Sequence, residues 1–113
     1  MRNVIRDIFS NWRNIFGRND NPFPPGTGLP YSFTTPTSHI DITMYSGYNV
    51  PLDYEIAYIH NGTPQAGYGT VSVPMQGFGA YIAVDIGTTC TISAQNGDCS
   101  YLEINGVVIF DNR

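Results

Sequence analysis

Two histidines, two cysteines and nine carboxylates are the groups in this 113-residue chain whose types and spacing could do chemistry. His39 and Asp41 are one residue apart, and in a strand that spacing puts both on one face. An imidazole beside a carboxylate could act as a general base with its orienting acid, or offer two ligands to a metal. His60 closes a second strand-like run. Asp53 and Glu55 also share a face and are the residue types of a glycoside-cleaving pair, which needs in addition a cleft and a set separation. Asn61-Gly62-Thr63 matches the glycosylation acceptor pattern and reads here as a turn. The sequence holds no nucleophile elbow, no glycine-rich phosphate loop before a helix, no HExxH and no CxxC. The expectation is a chain that is not an enzyme and takes neither metal nor cofactor, its histidines being structural or exposed.

The elements that must position these groups are short and alternating. From residue 31 onward, segments recur every 8–14 residues between Gly, Pro and Asn. Tyr31 to Thr35, Ile40 to Met44, Tyr54 to His60, Thr70 to Met75, Ala80 to Ile86, Thr89 to Ala94, Tyr101 to Ile104 and Val107 to Phe110 read as strands. Ala80 to Ile86, with Ala80, Ile82, Val84 and Ile86 on one face, reads as the central one. Asn61-Gly62, Asn96-Gly97 and Asn105-Gly106 read as tight turns. Seven or eight strands in about 80 residues predict one small β-sandwich over 31–113, either jelly-roll or immunoglobulin-like.

Cys90 and Cys99 flank the Asn96-Gly97 turn. If that turn makes a hairpin with Ile92 opposite Leu102, Cys90 faces Ile104 and the two sulfurs lie beyond the roughly 7 Å Cα separation that a bridge tolerates. Two free thiols are expected, as in a protein assembled in a reducing cytoplasm.

Charge divides the chain. With 12% charged residues it has about half the usual share, and it has no lysine. Arg2, Arg6, Arg13 and Arg18 stand against Asp7 in the first 18 residues, whereas residues 19–113 carry eight acids and Arg113 alone. An acidic body argues against binding nucleic acid through the domain. In the basic segment, residues 1–18, Val4, Ile5, Ile8, Phe9, Trp12, Ile15 and Phe16 recur at helical spacing, predicting an amphipathic helix that ends near Gly17. At about 15 residues, such a helix needs a surface. Its own domain or a neighbouring subunit, an anionic membrane interface, and nucleic acid are the candidates, as is a transit-peptide role. A secretory signal is not expected, because Arg, Asn and Asp interrupt every apolar pair. The Pro/Gly-rich stretch 19–30 (NDNPFPPGTGLP) reads either as an extended tether or as a strand along the domain edge, with a weaker resemblance to a PxxP ligand.

Eight tyrosines remain. Tyrosine buries much area at low entropic cost, so interfaces use it, and so do sugar-binding platforms. Tyr45, Tyr48 and Tyr68 are the candidate contact residues for either use. The loops Tyr45 to Pro51 and Asn61 to Gly69 hold the Tyr, Asn, Gln and Gly suited to sugar hydroxyls.

A basic amphipathic arm, a proline-rich linker and a lysine-free, low-charge β-sandwich together resemble the layout of small virion structural proteins of bacteriophages, of the penton or minor capsid and decoration kind. The resemblance implies a non-enzymatic capsid subunit, found in the virion after assembly in the host cytoplasm and oligomeric with other capsid subunits. Ile5, Ile8, Phe9, Trp12, Ile15 and Phe16 would then anchor the arm to neighbouring subunits or an internal membrane. The alternative is a carbohydrate- or receptor-binding β-sandwich.

Overall fold

The computed structural model describes residues 21–113. The predicted helix over 1–18, with its anchor residues and four arginines, lies outside the described residues. Eight strands follow in chain order: β1 (Tyr31–Thr34), β2 (His39–Ser46), β3 (Leu52–His60), β4 (Thr63–Val71), β5 (Gly77–Ala83), β6 (Thr89–Asn96), β7 (Cys99–Ile104) and β8 (Val107–Asp111). They form two antiparallel four-stranded sheets, ordered β1-β6-β3-β4 and β5-β2-β7-β8. The chain is mostly β, as expected.

Alternation builds the core. In β2, Ile40, Ile42 and Met44 are fully buried while His39 and Asp41 are exposed. Leu52, Ile56, Cys90, Ile92, Leu102 and Ile104 join them from the other three central strands. Each such aliphatic side chain contributes about 1.5–3 kcal/mol by leaving water. β2–β3 and β6–β7 each pass from one sheet to the other, with β2 paired to β7 and β3 to β6. That nesting clamps both sheets around one core.

Two of the predicted tight turns form as expected. Asn61 (φ 52°) with Gly62 (φ 72°) and Asn105 (φ 50°) with Gly106 (φ 81°) put both central residues at positive φ, the turn whose twist suits a two-residue hairpin. Asn96-Gly97 does not make a hairpin. Asn96 stays in β6 opposite Asp53, and Gly97-Asp98 carries the chain across to the other sheet. Asp98 fastens that crossing to the β2–β3 connection: its N–H donates to the Asn49 carbonyl at 3.0 Å, and its carboxylate accepts the Asn49 N–H at 3.0 Å.

Two strand expectations are corrected. Ala80 to Ile86 is not central: β5 is an edge strand that ends at Ala83, after which Val84 turns into the core and Ile86 is 64% exposed. Thr70 to Met75 is not a strand either. β4 runs from Thr63 to Val71, and Pro74, lacking an N–H, with Met75 at φ 57°, belongs to the loop beyond it. Pro64 is accommodated within β4 because that strand is at an edge.

The described part of the Pro-rich stretch, 21–30, is fastened to the sandwich. Phe23 is buried edge-to-face on Phe33 (5.3 Å between centroids), the Tyr31 hydroxyl donates to the Pro24 carbonyl at 2.6 Å, and the Asn112 amide donates to the Thr27 carbonyl at 2.9 Å.

Both cysteines are free. The Ile92–Leu102 register does not occur, because the two residues belong to different sheets. Cys90 pairs with Phe33, and Cys99 with Ser46. Burial pushes the Cys90 thiol up to about 12 and raises that of Cys99 as well. Only thiolate reacts appreciably. Iodoacetamide at pH 8 is therefore expected to leave Cys90 unmodified in the native protein and to alkylate both thiols in denaturant, read by intact mass. Native alkylation of Cys90 at the denatured rate would contradict its burial.

Candidate functional site

The outer face of the β1-β6-β3-β4 sheet holds a groove lined by carboxylates, an amide and a tyrosine. Because Leu52 and Ile56 point inward, Asp53, Glu55, Ala57 and Ile59 of β3 point outward. The two-residue turn at Asn61-Gly62 then sets their partners on β4: Asp53 opposite Thr70, Glu55 opposite Tyr68, Ala57 opposite Ala66, Ile59 opposite Pro64. β6 adds Ser93 beside Glu55. The Thr70 hydroxyl donates to Asp53 Oδ1 at 2.7 Å, and Gln95 Nε2 donates to Glu55 Oε1 at 3.1 Å. A groove of about 500 Å³ runs between these carboxylates, Gln95 and the 72%-exposed Tyr68 ring. Its floor is shaped from behind. Gly69 leaves room only for the Tyr54 side chain, which stacks on Phe78 of the opposite sheet at 4.8 Å. The face thus has an acidic end at Asp53 and Glu55 and a low apolar end at Ala57, Ala66, Ile59 and Pro64.

The outer face of the other sheet combines aromatic rings with Asp41, Glu103 and Asp111. His39 stacks on Tyr81 (5.3 Å, 10° between planes), and Tyr45 meets Tyr101 edge-on at 5.5 Å. Arg113 covers both rings of the second pair at 4.8 and 4.3 Å and is held by Asp111 at 3.0 Å. That ion pair holds the Asp111 carboxyl below its ordinary range, while the hydrogen bond from Tyr101 to Glu103, 2.6 Å, raises the phenol.

The residues singled out in the sequence disperse over these surfaces. His39 and Asp41 share the outer face of β2, but the imidazole is engaged with Tyr81 and Ser38, and Asp41 lies opposite Tyr81 in the ladder. His60 ends β3, its Nε2 3.4 Å from the Asn61 amide and its Nδ1 buried without a partner. Among the described residues, no group of three or more His, Cys, Asp or Glu is placed to hold a metal ion. Tyr45 and Tyr68, expected in loops, lie instead in strands β2 and β4, the first on the aromatic face and the second on the acidic one, while Tyr48 is on the β2–β3 connection, 78% exposed. The structure does not bring the three together. Sequence reasoning missed Gln95, Thr70 and the His39–Tyr81 pair, which strand neighbours create.

Asp85 is a structural carboxylate. It accepts the N–H groups of Asn61 (2.9 Å) and Gly62 (2.8 Å), and these bonds hold its pKa below the ordinary range. A depressed native pKa stabilises the fold above the unfolded value, near 3.9, and that contribution disappears as pH falls through the native one. Asp85→Asn is expected to flatten the fall in urea midpoint below about pH 4. An identical acid profile for variant and parent would contradict the role.

Comparison of the chain with protein-family models, with curated proteins and with solved structures finds no match.

Proposed function

We propose that this chain is a non-enzymatic structural subunit of a virion, of the penton or minor capsid and decoration kind, that assembles with copies of itself and uses its basic N-terminal segment as the anchor. The observation that carries the reading is the spread of exposed aromatic residues over separate sides of a charge-poor sandwich: Tyr48, Tyr68 and Tyr81 are 78%, 72% and 71% exposed, on a connection and on both outer faces. A subunit surrounded by neighbours needs contact residues on several sides, whereas a ligand-binding module gathers them in one. Tyrosine enrichment with few charges is also the composition of interface cores.

The charge split supports the same reading. Residues 21–113 carry seven carboxylates against Arg113 alone, while the first 18 hold four arginines and one acid. Opposite potentials on two parts of one chain favour contacts between copies. Of the two sandwich types, the strand order is nearer the immunoglobulin-like one. β5-β2 and β6-β3-β4 match its E-B and F-C-C′ neighbours, with the first and seventh strands exchanged between sheets.

Trp12→Asp in the full chain tests the anchor. Light scattering is expected to give a multiple of 12.5 kDa for the parent and the single-chain mass for the variant, at equal urea midpoints. A variant that assembles as the parent does would remove the anchor role.

A second reading, a carbohydrate-binding module, is favoured by the groove at Asp53, Glu55, Gln95 and Tyr68. Carboxylates and a primary amide can hold vicinal hydroxyls beside an exposed ring. Glycan-array binding lost in Tyr68→Ala would support that reading.

A further inference from the structure

We infer that the outer face of the β1-β6-β3-β4 sheet is the seat for the basic N-terminal segment, residues 1–18, of a neighbouring copy of this chain. The inference rests on the assembly reading above and gives that assembly a specific contact. Three observations lead to it.

The first is complementarity of charge and polarity along one short surface. One end of the face presents Asp53 and Glu55, whose carboxylates each retain acceptor capacity beyond the one hydrogen bond accepted among the described residues, from Thr70 or Gln95. The other end presents Ala57 and Ala66, whose side chains stop at Cβ and leave a low stretch between Tyr68 and Ile59, with Thr91 of β6 beside Ala57. The 1–18 segment carries four arginines interleaved with Ile5, Ile8, Phe9, Trp12, Ile15 and Phe16. Guanidinium groups match carboxylates in a planar, two-pronged fashion, and they also lie well on an exposed tyrosine ring. Large apolar side chains can cover a low stretch built on alanines.

The second is that no cation among the described residues faces Asp53 and Glu55. Arg113, the single arginine after residue 18 in a chain without lysine, is held by Asp111 and the Tyr45 and Tyr101 rings on the opposite face. The arginines able to neutralise Asp53 and Glu55 are therefore those of the basic segment.

The third is where the chain departs. Phe23 is pinned on Phe33 of β1, and Pro22 and Pro24 line a recess with Ser32 and Thr34 of that strand. The segment therefore departs from the β1 edge of the same sheet whose outer face carries the carboxylates, two strand spacings, about 10 Å, from β3. Twenty residues precede Asn21 and can span up to roughly 66 Å, enough to reach the equivalent face of an adjoining subunit.

The test uses full-length charge-reversed chains and sedimentation velocity, with equal urea midpoints as the check on folding. One variant carries Asp53→Arg and Glu55→Arg; the other carries Arg2→Glu, Arg6→Glu, Arg13→Glu and Arg18→Glu. Each alone is expected to sediment as a protomer, and an equimolar mixture is expected to form assemblies larger than the protomer, because each arm then meets a face of opposite charge on the other variant. The shape-preserving pair Asp53→Asn with Glu55→Gln is expected to weaken association about tenfold, a readout that holds even if the arginine variant fails to fold. Parental assembly by the face variants, or a mixture that stays protomeric, overturns the inference while leaving the assembly reading standing. A parent that is itself protomeric at all concentrations overturns both. Glycan binding lost in Tyr68→Ala with sedimentation unchanged assigns the face to a sugar and overturns the inference.

Discussion

Ile42→Ala is expected to destabilise the domain by about 2–5 kcal/mol, a large part of the roughly 5–15 kcal/mol that holds a domain of this size together. Ile42 lies in β2, a central strand, paired with Ala80 on one side and Ile104 on the other, and no part of it reaches solvent. Truncation removes three carbons from a dense interior. The strands above and below are fixed by their ladders, so the cavity closes only in part. Val108→Ala, at a 51%-exposed position on the edge strand β8, should lie within about 0.5 kcal/mol of the parent. Urea unfolding measures both. Similar losses at the two positions would show that the core is not where the burial pattern places it.

Gly97→Ala is the second large effect, and its comparison with Gly62→Ala separates two causes. Both glycines have positive φ, 77° and 72°, so each substitution carries the left-handed penalty of about 1–2 kcal/mol. Around Gly62 the space is open. At Gly97 an added Cβ would meet the carbonyl oxygens of Asn49 and Pro51 and the Leu52 backbone. Backbone cannot rotate aside as a side chain can, so an overpacking cost of about 1–3 kcal/mol adds to the first. The expectation is a total of about 2–5 kcal/mol at Gly97, with loosening of the Asn49–Asp98 contacts that tie the sheets together. Equal urea midpoints for the two variants would contradict the close approach of the crossing loops.

These positions also show what the sequence can reveal. Alternation in His39–Ser46 separates wet from dry positions without reference to any other strand. The Asn61-Gly62 and Asn105-Gly106 turns are local signals, but Pro64, Gly67 and Gly69 make Asn61 to Gly69 read as a loop, so Glu55 opposite Tyr68 and Asp53 opposite Thr70 emerge only in the structure. Asn96-Gly97 has the same residues but lies between strands of different sheets. Local turn propensity there yields to long-range pairing of β6 with β3 and β7 with β2. Strand order is equally remote from local pattern. Ala80 to Ile86 has the period of a central strand, yet Gly77, Gly79 and Tyr81 on its outer side and the turn at Gly87 make β5 an edge. The candidate groove divides along the same line: its β3 carboxylates are legible, whereas Thr70, paired from β4, and Gln95, delivered by β6, are not. Tyr45, Tyr48 and Tyr68 looked equivalent as residues and lie on different surfaces, since residue type carries no information on which face or connection bears it.

Self-association of the acidic sandwich through contacts that include its basic segment is the central proposal. Sedimentation velocity of the full chain, over a wide concentration range and at low and high salt, tests this most directly. The predicted result is a discrete oligomer of the 12.5 kDa protomer, a pentamer or trimer, that weakens as salt screens the arginine–carboxylate contacts. A single protomer at every concentration and salt would contradict the account and leave the sugar-binding reading of the Tyr68 groove.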